Sequence, residues 1–288
     1  MFGNRRPAKK SVSVLGAKMA YVEQGHGDPV VFLHGNPTSS YLWRKVIPPV
    51  SSRARCIAPD LIGMGDSEKV GSGPRSYRFI DHRTYVDGLF EVLGITDNAT
   101  LVGHDWGGAL AFDWAYRHQQ AVKALVYMET IVTPLTWDDW PVAARGIFQG
   151  MRSEAGEEMV LDKNVFVERI LPSSVLTPLD DKTMDEYRRP FRSPGEGRRP
   201  TLTWPREIPL DGEPAAVAQV VERYAEWLSH SQVPKLFINA DPGSILIGRQ
   251  REFCRTWPNQ KEVTVPGVHF IQEDSGALIG AVISEWLP

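Results

Sequence analysis

The chain has 288 residues and a formal net charge of −3, with 42% hydrophobic and 23% charged residues. These values are typical of a soluble globular protein with a large core. They exclude a disordered or fibrous chain and the strongly basic surface expected of a nucleic-acid-binding protein. No apolar run reaches the roughly 18 residues that span a bilayer, and the N-terminus (MFGNRRPAKK) lacks the apolar region of a secretory signal. We therefore predict a cytoplasmic protein without membrane contact.

The predicted secondary structure begins with a hairpin and then alternates between strands and helices. Residues 11–25 alternate polar and apolar side chains around a glycine, which indicates two antiparallel strands. The later runs are continuously apolar, as in strands buried on both faces of a parallel sheet: VVFLHG (30–35), RCIAPDL (55–61), ATLVGHD (99–105), VKALVYME (122–129), VPKLFINAD (233–241) and KEVTVPG (261–267). Helical spacing is found at 81–93, 106–118, 217–230, 249–257 and 274–286. We predict an α/β fold in which helices cover a mostly parallel sheet.

The alternation stops between residues 131 and 212. This segment holds amphipathic helical stretches such as residues 157–171, a basic Pro/Gly stretch at 188–200 and nine of the chain's 22 prolines. We predict a core domain formed by residues 1–130 and 213–288, with residues 131–212 inserted as a helical cap domain. We expect this cap to cover the carboxyl edge of the sheet, where α/β proteins bind their ligands.

The most informative motif is GHDWG at 103–107, which follows a predicted strand and opens a predicted helix. It has the G-x-nucleophile-x-G pattern of the sharp strand-to-helix turn in serine hydrolases, with Asp105 at the serine position. Aspartate is also favoured as a helix-capping residue, so the motif alone leaves that role open. A carboxylate with an ordinary pKa of about 4 is ionised at neutral pH and attacks saturated carbon or an epoxide without a base. The ester that forms then needs a base to activate water.

His269 is the predicted general base. It lies just after the last predicted strand and follows Asp105 in the chain, in the order that hydrolases of this type require. Histidine titrates near neutral pH and therefore suits this task. Two acidic residues at predicted strand ends, Glu129 and Asp241, are candidates for orienting it. Spacing does not decide between them.

The HGNP loop at 34–37 follows the first predicted parallel strand and points to an anion site. The backbone N–H groups of Asn36 and Trp106 are expected to form an oxyanion hole for the tetrahedral intermediate of ester hydrolysis. The Asn36 amide and the Trp106 indole add two neutral N–H donors, which suit a large, weakly basic anion leaving carbon. A turn asparagine and a core tryptophan are the simpler alternatives at these two positions.

The inserted segment carries several aromatic residues, Trp137, Trp140, Phe148, Phe166 and Trp204. Each suits packing as well as ligand contact, but together they predict an apolar cavity for an uncharged substrate. The residues assigned to the substrate pocket are Trp140, Phe148, Phe166, Pro205 and Ile245.

Neither a metal nor a cofactor is predicted. The sequence has no HExxH or CxxC spacing. Water and ionisable side chains supply every group that the chemistry needs. Cys56 and Cys254 are expected to be free, buried thiols, although a single bridge between them is the alternative.

These motifs together resemble the haloalkane dehalogenases. The resemblance covers about residues 11–286 and depends on HGNP, APDLIGMGDS (58–67), GHDWGG, Glu129 and RRPTLTWPREIP (198–209). It implies an α/β-hydrolase fold in which Asp105 is the nucleophile, His269 the base and Glu129 the acid. It also implies that Asn36 and Trp106 stabilise a halide, that the substrates are a small halogenated hydrocarbon and water, and that the products are an alcohol, a halide ion and a proton. In another subgroup of the family the acid follows the next strand, so Asp241 stays a candidate.

Two other enzymatic activities are compatible with the strand-to-helix turn at GHDWG. The inserted segment is also similar to coelenterazine luciferases of the sea-pansy type at GEEMVL (156–161) and RRPTLTWPREIPL (198–210), so cofactor-free monooxygenation is one alternative. Epoxide hydrolysis is the other. That reaction typically uses tyrosine donors from the cap, and Tyr187 is the only tyrosine between residues 131 and 212.

Overall fold

A computed structural model describes residues 8–288. The described chain forms one sheet of eight strands, which are β1 (Lys10–Val14), β2 (Ala17–Gln24), β3 (Pro29–Leu33), β4 (Arg55–Pro59), β5 (Ala99–Asp105), β6 (Val122–Thr130), β7 (Lys235–Pro242) and β8 (Gln260–Gly267). Their spatial order is β1-β2-β4-β3-β5-β6-β7-β8. The β1–β2 and β2–β4 pairs are antiparallel, and the other pairs are parallel. The predicted α/β fold is confirmed, and the predicted hairpin corresponds to β1 and β2.

The central strands bring the loops of interest to one edge of the sheet. Every residue of β5 is buried, as its continuously apolar sequence predicts. Leu33 at the end of β3 pairs with Gly103 in β5, and Asp105 at the end of β5 pairs with Thr130 at the end of β6. The chain segments that follow β3, β5 and β6 therefore begin side by side.

Ten helices accompany the sheet in the described residues: α1 (Ile47–Val50), α2 (Phe79–Val92), α3 (Trp106–Arg117), α4 (Val142–Arg152), α5 (Leu171–Ser173), α6 (Asp181–Arg188), α7 (Arg199–Glu207), α8 (Ala215–His230), α9 (Gly248–Arg255) and α10 (Ile271–Trp286). The five helical segments predicted outside residues 131–212 correspond to α2, α3, α8, α9 and α10. Within residues 8–288, no helix has both the length and the apolar character needed to cross a membrane.

The segment between β6 and α8 contains α4 to α7 and differs from the prediction in one place. Residues 157–171 are not one continuous helix but two π-helical turns, Glu157–Asp162 and Phe166–Ile170, followed by α5. The turns are separated near Asn164, whose φ of 52° lies in the left-handed region. Asparagine adopts this backbone conformation more readily than most residues. The left-handed backbone at Asn164 interrupts the helix, and the second turn begins in a new direction.

The basic Pro/Gly stretch at 188–200 is part of the packed structure. The buried Arg198 guanidinium donates hydrogen bonds of 2.7–2.9 Å to the carbonyl oxygens of Leu161, Asp162 and Phe191. One arginine thus joins the end of the first π-helical turn to residue 191 through main-chain carbonyl groups.

A buried ion pair outside residues 131–212 also binds a tyrosine of that segment. Arg44, in the turn before α1, donates two hydrogen bonds of 2.6 Å to the Glu273 carboxylate in α10. Tyr187 in α6 donates its hydroxyl to the same carboxylate. Burial raises the pKa of Glu273, but the hydrogen bond and charge of Arg44 outweigh this and leave the pKa lowered overall. Three separate parts of the chain therefore meet at one ionised group.

Candidate active site

Asp105 lies at a strained turn between β5 and α3. Its backbone φ is 53°, a value that non-glycine residues rarely adopt. Glycines make the turn fit, since a Cβ on Gly107 would lie 2.0 Å from the carbonyl oxygen of Leu33, and one on Gly103 would lie 2.4 Å from the Cα of Gly108. Asp105 occupies the N-cap position of α3, but its side chain makes no capping hydrogen bond. The strained backbone and the lack of a capping hydrogen bond favour a functional role over a capping role.

The Asp105 carboxylate is held by main-chain donors. Its Oδ1 atom accepts a 2.8 Å hydrogen bond from the backbone N–H of Asn36. Burial raises the pKa of Asp105, but the hydrogen bond and charge of His269, with a smaller contribution from the Trp106 backbone N–H, lower it overall. The Thr130 hydroxyl donates a 2.6 Å hydrogen bond to the Asp105 carbonyl and fixes the turn from β6. An ionised carboxylate therefore sits beside two backbone N–H groups.

Gly35 has a steric role at this point. A Cβ there would lie 1.9 Å from Oδ1 of Asp105. Only a residue without a side chain lets the loop after β3 approach the carboxylate closely enough for the Asn36 N–H to donate.

His269 lies between β8 and α10 and faces two carboxylates. Its Nε2 atom is 3.6 Å from Oδ2 of Asp105, and its Nδ1 atom is 3.4 Å from Oε2 of Glu129. Burial lowers the pKa of His269, but hydrogen bonds and charge from Asp105 and Glu129 more than compensate and raise the pKa to about 9. Its backbone N–H donates a 3.1 Å hydrogen bond to the carbonyl of Ser174 in the inserted segment.

Glu129 is the acid that the fold brings to His269. It is the penultimate residue of β6, has a φ of 42° and is completely buried. Its carboxylate accepts hydrogen bonds of 2.8–3.3 Å from the backbone N–H groups of Ser244, Ile245 and Leu246. Asp241, by contrast, is exposed at the end of β7. Among the hydrogen bonds and ion pairs of residues 8–288, none joins Asp241 to His269.

Asn36 and Trp106 both line the cavity above Asp105. The Nδ2 atom of Asn36 donates to the Thr201 carbonyl at 3.2 Å, so one amide N–H is engaged and one remains for a ligand. The Trp106 ring stacks on Trp204 at 4.7 Å between centroids, and Trp204 stacks on His82 at 4.1 Å. The orientation of the Trp106 indole is therefore set by a column of buried rings.

Two further buried histidines lie near the site, although their residue pattern predicted no role for them. Nε2 of His104 is 2.9 Å from the His269 carbonyl oxygen. His34 accepts from the Leu61 N–H and contacts the Gly35 carbonyl, both at 2.9 Å. Burial lowers the pKa of His104 to about 3 and that of His34 to about 4, so both rings are neutral and act as supports for the loops. Their positions inside the GHDWG and HGNP motifs were the signal that could have identified them.

A cavity of about 560 Å³ lies above Asp105. All five residues assigned to the substrate pocket line it: Trp140, Phe148, Phe166, Pro205 and Ile245. Trp137 and Trp204 do not, since Trp204 lies behind Trp106 and Trp137 packs beneath Arg152. The lining also includes polar residues that were not predicted from the sequence, Arg169, Ser173, Ser174 and Ser244. Their spacing carries no motif, so only the tertiary packing reveals them.

No group of His, Cys, Asp and Glu side chains within residues 8–288 is arranged to hold a metal ion. Cys56 and Cys254 are free and buried, as predicted.

The fold identifies a broad class of proteins, the α/β hydrolases. Residues 28–276 match the family model described as the alpha/beta hydrolase fold. Among curated relatives, a haloalkane dehalogenase of Sphingobium indicum is 55% identical over 280 residues, which cover 97% of this chain and 95% of the relative. A haloalkane dehalogenase of Mycolicibacterium smegmatis is 53% identical, with coverages of 94% and 88%. The crystal structure of a haloalkane dehalogenase from Bradyrhizobium elkani superposes with a TM-score of 0.93 at 43% identity, covering 97% of each chain.

The chain therefore belongs to the haloalkane dehalogenase family of α/β-hydrolase-fold enzymes. A coelenterazine h 2-monooxygenase of Renilla reniformis is also similar, at 44% identity over 96% of this chain and 90% of the relative.

Proposed function

We propose that this enzyme hydrolyses the carbon–halogen bond of small haloalkanes through an ester on Asp105. The observation that carries the proposal is that the two carboxylate oxygens of Asp105 have different contacts. Oδ1 accepts the Asn36 N–H at 2.8 Å, whereas Oδ2 faces His269 under the apolar cavity. One oxygen is thus held by the main chain, and the other is free to attack carbon.

In the first step, Oδ2 forms a bond to the halogen-bearing carbon from behind while the carbon–halogen bond breaks. The electron pair leaves with the halide, which the free Asn36 amide N–H and the Trp106 indole N–H receive. Two neutral donors in an apolar cavity stabilise an anion that is absent from the ground state, and this is the condition for accelerating the step.

In the second step, water attacks the carbonyl carbon of the ester. His269 takes the proton of that water, and Oδ1 carries the negative charge between the N–H groups of Asn36 and Trp106. Collapse of the intermediate breaks the bond between the carbonyl carbon and Oδ2, and the departing oxygen takes the proton from His269 and leaves as the alcohol. The water oxygen stays on the carbonyl carbon, and its remaining proton passes to His269 as the carboxylate forms again. Glu129 holds the His269 ring and stabilises its positive charge.

The same geometry gives His269 the correct protonation state at each step. In the free enzyme the charges of Asp105 and Glu129 raise the pKa of His269 to about 9. Esterification removes the charge of Asp105, which lowers the pKa of His269. The histidine then releases its proton to solvent, which accounts for the proton produced by the overall reaction, and is a base at the stage when water has to be activated.

We also propose that residues 131–212 act as a cap over the carboxyl edge of the sheet. The cavity wall supports this, because Trp140, Phe148 and Phe166 come from that segment while Asn36 and Ile245 come from the remainder of the chain. An apolar wall with a few convergent polar groups suits an uncharged hydrocarbon chain.

The decisive test is halide release from a panel of short bromoalkanes by the wild type and by Asp105→Asn. The wild type should release bromide and the variant should lose this activity almost completely, because an amide is not ionised. If the wild type released no halide from any member of the panel, the proposal would fail.

The similarity to the Renilla reniformis monooxygenase makes light emission a second candidate activity. Adding coelenterazine to the purified enzyme and measuring light tests it directly. Epoxide hydrolysis is disfavoured by the position of Tyr187, which donates its hydroxyl to Glu273 and does not line the cavity. Among the described residues no tyrosine lines the cavity. No tyrosine hydroxyl is therefore placed there to protonate the oxygen of an opening epoxide.

A further inference from the structure

We propose that Arg169 forms an anion-recognising subsite at the mouth of the cavity, which favours haloalkanes that carry a carboxylate at the end remote from the halogen. The proposal rests on the proposed function, because it concerns the far end of the same substrate.

The charges along the cavity are placed at its two ends. Asp105 and His269 lie at the buried floor, and Arg169 is the other charged residue among those that line the cavity in the described chain. Arg169 and Ser173 are exposed, which places this part of the lining at the opening to solvent. The walls between these ends are mainly apolar. A substrate with its halogen at the floor therefore directs its other end toward a cation.

Arg169 is free to bind a ligand. Its sequence neighbour Glu168, the nearest acidic residue in the chain, is already paired with Arg188 at 2.9 Å. Arg199 and Arg206 of the same segment both bind Glu157. Within residues 8–288, no hydrogen bond or ion pair engages the Arg169 guanidinium, so a bound anion displaces no internal partner.

The π-helical turn Phe166–Ile170 links this cation to the apolar wall. Phe166, Arg169 and Ile170 all line the cavity, at spacings that put side chains on one side of a helix. An alkyl chain that packs along Phe166 and Ile170 meets the guanidinium where it leaves the cavity. The planar guanidinium matches a carboxylate through two parallel hydrogen bonds, which a lysine could not provide.

The test compares ω-bromoalkanoates with ω-bromoalkanols of the same chain length, over a series of lengths, in the wild type, Arg169→Gln and Arg169→Glu. The quantity of interest is the ratio of kcat/KM for the carboxylate to kcat/KM for the alcohol. An exposed ion pair predicts that Arg169→Gln lowers this ratio about two- to fivefold at the best chain length, and that Arg169→Glu lowers it further. High salt should reduce the ratio in the wild type more than in Arg169→Gln.

Arg192→Gln is the matched control, since Arg192 is an exposed arginine of the same segment that does not line the cavity. It makes the same change in net charge and should leave the ratio unchanged. An equal change in both variants, or no change in Arg169→Gln, would overturn the proposal.

Two further outcomes show whether Arg169 binds the substrate carboxylate or the departing halide, and whether the subsite or the proposed function fails. Inhibition by added bromide is measured with a neutral bromoalkane in the same variants. A changed inhibition constant with an unchanged ratio would assign Arg169 to the departing halide and reject the substrate subsite. Loss of halide release from the neutral substrates in the wild type would instead reject the proposed function, which the ratio does not test.

Discussion

Nδ1 of His269 lies 3.4 Å from Oε2 of Glu129, although 140 positions of the chain separate the two residues. The carboxylate accepts three backbone N–H groups of residues 244–246, so its position is set by the loop after β7 and not by His269 itself. This rigid support is what an orienting acid requires, since a mobile carboxylate would not define the direction of the imidazole.

We predict that Glu129→Gln lowers the rate of ester hydrolysis by about 10²- to 10⁴-fold, because the base loses its orientation and its counter-charge. Asp241→Asn, which removes an exposed carboxylate, should change the rate little. Steady-state halide release on one bromoalkane measures both. The reverse ranking would move the acid to Asp241.

His269→Phe should form the ester but not hydrolyse it, because the base acts only in the second step. Intact-mass measurement after incubation with a bromoalkane should show a stable adduct with the mass of the alkyl group. The double variant with Asp105→Asn should remain unmodified. An unmodified His269→Phe protein would contradict the separation of the two steps.

The pKa of His269 should be lower in Asp105→Asn than in the wild type, where the two carboxylates raise it to about 9. Losing the Asp105 charge leaves Glu129 alone to offset burial. The imidazole chemical shifts followed by NMR against pH measure this directly. Since the rate of hydrolysis needs neutral His269, that step should slow as the pH falls through the pKa of the esterified form. An unchanged pKa in the variant would remove the electrostatic argument for the timing of proton transfer.

Trp204→Ala should weaken bromide inhibition, because Trp204 is the ring on which Trp106 stacks at 4.7 Å. Trp204→Phe, which preserves a stacked ring, should weaken it much less. Removing this buried ring should also reduce the free energy of unfolding by about 3–5 kcal/mol. Trp257→Ala is the control, as it removes a buried indole that does not line the cavity. Equal effects of the two alanine variants on bromide inhibition would show that the stack has no special role.

Glu273→Gln should destabilise the fold by about 3–5 kcal/mol at neutral pH, because it leaves the buried Arg44 guanidinium without its carboxylate. Burial raises the pKa of Glu273, but pairing with Arg44 lowers it overall, below its ordinary value of 4.5. The ionised carboxylate therefore stabilises the folded state at pH values above 4.5. The advantage of the wild type over the variant should therefore shrink as the pH falls below that value. Denaturant unfolding at several pH values measures the difference. Glu285→Gln, on the exposed side of the same helix, should show no such dependence.

Local patterns in the chain were sufficient for the elements of the core. Continuous apolar runs predicted the parallel strands, because strands covered by helices on both faces are mainly apolar. The prediction failed at residues 157–171, where the apolar spacing suits a helix but Asn164 takes a left-handed backbone. Periodicity reports which face is buried and not whether the backbone is interrupted.

The local pattern of residues was enough to place a carboxylate at a glycine-bounded turn, because that turn tolerates only small flanking residues and their pattern is readable. It could not choose between Glu129 and Asp241, since both end neighbouring strands. In the folded chain Glu129 lies 3.4 Å from His269, and its position is set by main-chain donors from a loop far away in the chain. The same reason applies to Arg169 and to the ring column behind Trp106. Contacts between distant segments are set by packing, and no local pattern records them.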